Sequence, residues 1–292
     1  MKNFILWLIL ALIWSASYGT IKIGLQGFGP ITLVAGRMVI ASVILLAVLR
    51  AKFLTLPMDR ASLVTFLISG LLGSVIPFAL ISYGEAHVDS GLAAVMMGIA
   101  PVATVMFAPL LLADERITIS AVVGSIIGIS GLAVLVGGQA LNGVGVHISG
   151  QIAILTAALC YASATLYVRR FVKMPALQMA TGATLVGAIL IAAAALVVEH
   201  PFETTAPSAR SMMAMAYLGI MATAAANLLY FYLVPRLGAG RMSQINFLVP
   251  AFGAIIGITL MGEPFKATIA VALGLILIAV ALVSVPRTTT PK

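Results

Sequence analysis

Hydrogen-bonding side chains recur at helical spacing inside otherwise apolar stretches of this chain. Trp14, Ser17, Tyr18 and Ile21 share one helical face, Tyr161 and Thr165 a second, and Thr223, Asn227 and Tyr230 a third. A fourth face carries Ser243, Asn246, Phe247 and Pro250, with Gln244 adjacent. Residues three and four apart project together from a helix, and an asparagine surrounded by hydrocarbon needs a partner. Such groups either bond helix to helix or line a cavity of neutral donors and acceptors with apolar walls. The chemistry is binding, not bond making. It suits a small zwitterion or amphipathic metabolite better than a multivalent anion. Trp14, Tyr18, Tyr83, Tyr161, Asn227, Tyr230 and Asn246 are the expected substrate contacts.

Covalent chemistry finds no support in the residues. There is no Gly-rich phosphate loop for a nucleotide. His87, His147 and His200 fall in loops with no metal-ligand spacing, and no histidine lies inside an apolar stretch to activate a nucleophile. The expectation is therefore no enzyme, no cofactor and no metal. The eight acidic residues all lie at the ends of apolar stretches or in loops, so a buried proton relay is not visible. Arg37 is the one charge set inside an apolar stretch. It lies roughly 10 Å deep at 1.5 Å per residue. Burying it unpaired costs at least about 2.5–3.5 kcal/mol, so it is expected to snorkel, to pair, or to hold a carboxylate at the outer mouth.

The elements that position these groups follow from composition. The chain is 62% hydrophobic and 8% charged with mean hydropathy +1.18, against about 25% charged in soluble domains. About 20 apolar residues cross a bilayer. Ten spans are predicted at 3–23, 31–49, 63–83, 90–112, 117–136, 149–168, 176–198, 211–234, 240–261 and 267–285. Residues 63–101 align without a gap to 212–250 at an offset of 149, pairing Gly70 with Gly219, Tyr83 with Tyr232 and Pro101 with Pro250. Five spans per copy put the second copy in the opposite orientation, as in secondary transporters with a site between their halves. The fold is thus read as an all-α polytopic membrane protein, with ten transmembrane helices in two inverted five-helix repeats around a central cavity. Residues 1–138 form the first repeat, 139–148 a linker, 149–286 the second repeat and 287–292 a tail.

With the N-terminus cytoplasmic, twelve basic residues fall inside and three outside, a positive-inside bias. That places both termini in the cytoplasm and the multi-pass chain in a cell (inner) membrane, and it removes nucleic acid as the reason for the +8 charge. Lys2 before an apolar run, with Ser15-Ala16-Ser17 behind it, resembles a cleaved signal. The run continues to Ile23, and the pairing of halves needs it as a span. Pro101 and Pro250 are expected to kink spans four and nine. Glu115 and Glu263 follow them by fourteen and thirteen residues, to cap the next helix or to gate. Gly124-x-x-x-Gly128, continued by Gly131, allows close helix approach. Span five is a candidate scaffold or dimer helix, so the chain is expected to be a monomer or a weak homodimer.

Leu12-Ile13-Trp14-Ser15, the Gly91–Pro101 segment, Asp114-Glu115-Arg116 and Gly262-Glu263-Pro264, in that order and spacing, resemble the EamA-type branch of the drug/metabolite transporters. The resemblance covers nearly the whole chain and is nearest to bacterial (aromatic) amino-acid exporters. It implies a basket of ten helices with a cavity lined mainly by spans one, three, four, six, eight and nine. It also implies export of amino acids or related small metabolites by alternating access. A multidrug or quaternary-amine exporter is the alternative, although it calls for a membrane-embedded acid. A membrane enzyme or lipid scramblase is the reading from a different class.

Overall fold

The computed structural model describes residues 1–88, 90–138, 142, 144–201, 207–261 and 267–284, and no strand occurs among them. α1 (Lys2–Ser15) and α2 (Ser17–Gly24) form one stretch broken at Ala16, and α3 (Pro30–Ala51) follows. α4 (Arg60–Gly70) runs through a π-helical segment, Leu71–Val75, into α5 (Ile76–His87). α6 (Ser90–Met97) and α7 (Ile99–Leu111) are separated at Gly98, and α8 is Ile119–Val136. The second half contains α9 (Ile148–Phe171), α10 (Ala176–Val198) and α11 (Ala209–Gly219). A second π-helical segment, Ile220–Ala225, joins α11 to α12 (Ala226–Leu237). α13 (Ala239–Ser243), α14 (Ile245–Met261) and α15 (Ala267–Ser284) complete the described chain.

Among the described residues, eight helical stretches are long and apolar enough to cross a membrane. They correspond to the first eight predicted spans. α14 and α15, with 17 and 18 residues, fall within the predicted ninth and tenth spans. The third, sixth and eighth stretches run to Arg60–His87, Ile148–Phe171 and Ala209–Leu237, past their predicted bounds. The reason is that a helix continues beyond hydrocarbon while its charged ends, such as Arg60, Arg169 and Arg236, end the apolar signal.

Helix ends are satisfied from the loops. Asp59 accepts from the Ser62 amide at 3.0 Å and Ser208 from the Ser211 amide at 3.1 Å. The two oxygens of Glu199 accept from the Ile31 and Thr32 amides, at 2.9 and 2.7 Å, closing the N-terminus of α3. Each cap removes an orphan donor that a helix start leaves open.

Packing sets the helices in pairs. α8 lies along α15, α3 along α10, α9 against α5 and α7, and α1 against α14 and α12. Close approach is achieved where side chains are absent. A Cβ on Gly124 would stand 3.0 Å from the Ala279 carbonyl, and one on Gly131 3.0 Å from Ile276. The glycine face of α8 is therefore used inside the molecule, against α15. Gly70 and Gly219 play matching parts at the ends of α4 and α11. A Cβ on Gly70 would meet the Ala183 carbonyl at 2.6 Å, and one on Gly219 would meet Ile40 at 2.8 Å and the Arg37 carbonyl at 3.1 Å. Each of these glycines directly precedes a π segment, and the segments begin at Leu71 and Ile220, 149 residues apart.

The first π segment runs into Pro77, which lacks an amide hydrogen and crowds the preceding turn. The second has no proline. There the Thr223 hydroxyl donates to the Leu218 carbonyl, five residues back, at 2.7 Å, and side chains from other helices reach the Ala222 carbonyl.

Candidate functional site

A cavity lies where the broken helices meet. α1 and α2 contribute Trp14, Ser17, Tyr18 and Ile21; α3 contributes Arg37, and α5 Phe78 and Ile81. α9 contributes Tyr161 and Thr165, α12 Tyr230, and α13 and α14 Met242, Ser243, Ile245, Asn246 and Val249. Among the described residues, none of span four is in this lining: α6 and α7 pack on α9, α8 and α13 instead. The place is taken by Arg37 of span two, which the resemblance did not include.

Arg37 is 3% exposed, so its charge is held inside the protein. Its Nε donates to Thr223 Oγ1 at 2.9 Å and its Nη2 to the Ala222 carbonyl at 3.3 Å. Its Cζ stands 4.0 Å from the centre of the Phe78 ring, a cation–π contact. The Ala222 carbonyl also accepts from Trp14 Nε1 at 3.2 Å. A π turn misaligns the regular i−4 ladder and frees carbonyl capacity at sites of function. Here the second π segment turns that capacity into a junction of three spans.

The aromatic wall is held by its own bonds. The Trp14 and Tyr230 ring centres are 6.4 Å apart. The Tyr230 hydroxyl and Thr165 Oγ1 are hydrogen-bonded at 2.9 Å, while Thr165 also donates to the Tyr161 carbonyl at 2.8 Å. Asn246 Nδ2 donates to the Ser243 carbonyl at 3.1 Å, and Ser243 Oγ donates to the Gly240 carbonyl at 2.9 Å. These side chains satisfy carbonyls around the helix break at Gln244.

Of the seven expected contacts, the cavity gathers Trp14, Tyr18, Tyr161, Tyr230 and Asn246. Tyr83 lies elsewhere, 40% exposed, with its ring 4.5 Å from that of His87 and its hydroxyl 3.4 Å from Ser149 Oγ. Asn227 is buried on another face, donating to Thr184 Oγ1 at 3.1 Å. Pro101 lies just inside α7, three residues past the break at Gly98. Pro250 lies inside α14, six residues past the break at Gln244. Glu263 falls outside the described residues.

Glu115 does not cap the helix that follows it; Thr118 does, accepting from the Ala121 amide at 3.2 Å. Instead the buried Glu115 carboxylate reaches across to α13. It accepts from the Ala239 and Gly240 amides at 2.7 and 3.2 Å, with Arg169 Nε 3.9 Å away. Arg169 in turn pairs with Asp114. This clasp ties the α7–α8 connection and α9 to the start of the broken helix that lines the cavity.

Known proteins agree with this architecture. The EamA-like transporter family profile matches residues 1–137 and again 148–285. A protein of Streptantibioticus cattleyicolor named "Probable terminal-alkyne amino-acid exporter" is 29% identical over 272 residues, covering 90% of this chain and 87% of that one. An Escherichia coli protein named "Uncharacterized inner membrane transporter YedA" is 28% identical over 279 residues, covering 95% and 89%. One solved crystal structure superposes with a TM-score of 0.81 at 19% identity, covering 97% of this chain and 98% of its own, which shows the shared fold. This chain belongs to the EamA-like transporter family and is a multi-pass membrane transporter.

Proposed function

We propose that the chain is a secondary transporter that exports small metabolites of the amino-acid class, amino acids or their close derivatives, by alternating access. In this reading ten spans form two inverted halves with both termini cytoplasmic, and the transported molecule occupies the cavity between them. The observation that carries it is the pocket at the helix breaks, whose aromatic and polar lining comes from both halves. Support also comes from the 149-residue repeat, the bias of basic residues to one side, and the name of the Streptantibioticus relative.

The geometry supplies recognition without covalent chemistry. Trp14, Tyr18, Tyr161 and Tyr230 offer flat apolar faces with polar edges, Asn246 and Ser243 offer hydrogen bonds, and Arg37 offers charge. The Glu115 clasp would hold one side shut, because Ala239 and Gly240 are tied to the opposite helices until it opens. An exporter of cationic drugs would need an acid in the cavity, and none lines it among the described residues. Reconstitution into liposomes tests the proposal. Preloaded amino acid should drive uptake of labelled amino acid above protein-free vesicles, and a screen of amino acids and derivatives that gives no counterflow rejects it.

A further inference from the structure

We infer that the cavity prefers amino-acid-derived anions without an ammonium group, namely monocarboxylates whose amine is acylated or replaced by a keto oxygen, over the free amino acids. The inference rests on the reading of this cavity as the transport site and names the charge its ligand carries.

A guanidinium is always protonated. All the partners of Arg37 are neutral: a threonine hydroxyl, a backbone carbonyl and the Phe78 ring. The salt bridges among the described residues belong to Arg169, with Asp114 and Glu115. Two of the five guanidinium N–H donors are engaged, which leaves three for a ligand. Among the described residues, no aspartate, glutamate, lysine or histidine lines the cavity, so Arg37 is the one formal charge in its described lining. A buried carboxylate, Glu85, lines a different pocket together with Lys22, His87 and His147.

Buried charge is stabilised by a hydrogen-bonded opposite charge and penalised without one. A monocarboxylate brings the occupied cavity to neutrality and can meet the guanidinium fork in bidentate fashion. A zwitterion leaves one net positive charge buried, and its ammonium must give up water for neutral acceptors alone. The amide of an acylated amine asks less of the site. Ser17 Oγ, buried in the lining and without a hydrogen-bond partner, is placed to serve it.

The test compares three probes with the same side chain: N-acetylphenylalanine (anion), phenylalanine (zwitterion) and N-acetylphenylalaninamide (neutral). Binding is read by quenching of tryptophan fluorescence and transport by counterflow in proteoliposomes. The wild type should half-saturate with N-acetylphenylalanine at about tenfold or more lower concentration than with phenylalanine. Arg37→Gln should abolish that preference and favour the neutral amide, whereas Arg37→Lys should keep the preference for the anion. Phenylalanine binding as tightly as its acetyl form overturns the charge selectivity alone. So does an Arg37→Gln protein that binds the amide yet still prefers the anion. A wild type that neither binds nor moves any of the three overturns the cavity reading together with it. The wild-type comparison needs no variant to fold.

Discussion

Asn246, Thr165 and Tyr230 in the cavity wall each have a hydrogen-bond partner that fixes their position. Asn246 uses Nδ2 on the Ser243 carbonyl, and its side-chain oxygen remains for a ligand. Truncation to alanine removes one neutral hydrogen-bonding group, worth about 1 kcal/mol, or roughly fivefold in half-saturation. Asn246→Ala should therefore reduce counterflow about fivefold at equal protein incorporation. Asn227→Ala should leave transport unchanged and lower thermal stability, because Asn227 bonds Thr184 away from the cavity. The rate and the melting temperature, measured on the same preparations, separate the two.

The helices show what spacing can and cannot tell. Trp14, Tyr18, Tyr161, Tyr230 and Asn246 were legible because polar or aromatic groups at i, i+3 and i+4 stand out in an apolar stretch. Asn227 carries the same signal but falls just after the π segment Ile220–Ala225, whose wider turn shifts the helical phase. Thr223, Asn227 and Tyr230 thus face Arg37, Thr184 and the cavity instead of one common direction. Arg37 was visible as a buried charge, but its partners were not, since no sequence signal marks which carbonyl a π turn frees. Tyr83 lies near the end of α5, where the same face leaves the bundle.

The paired glycines give an element-scale prediction. Gly70→Ala places a methyl against the Ala183 backbone and should destabilise by about 1–3 kcal/mol, seen as a lower melting temperature in detergent. A second prediction concerns the start of α4. Hydrogen bonds from Ser62 hold the Asp59 carboxyl below its ordinary pKa, so its stabilisation is present above the unfolded value and lost as pH falls. The melting difference between wild type and Asp59→Asn should be clear at pH 7 and begin to fade only as pH falls below about 4, the ordinary aspartate value.

At the scale of the whole molecule, repeat and clasp make one mechanism. The two halves share glycine–π elements at matching positions, while the Glu115–Arg169 clasp joins them at one end. The duplication was plain in the sequence. The clasp was not, because Glu115 and Ala239 are 124 residues apart and local capping is the reading that spacing favours. Glu115→Gln replaces one acceptor oxygen by an amide NH2, itself a donor, facing a backbone donor, a loss of roughly tenfold or more in the closed population. A cysteine placed at Met242, with Cys160 replaced by serine, should then react with a water-soluble maleimide about tenfold faster than in the clasped protein. The account as a whole stands on transport through this cavity. Counterflow of N-acetylphenylalanine and phenylalanine in proteoliposomes, wild type beside Asn246→Ala, tests it most directly. The account predicts exchange by the wild type that falls about fivefold in the variant. Equal exchange by both proteins, or none by the wild type, would contradict it.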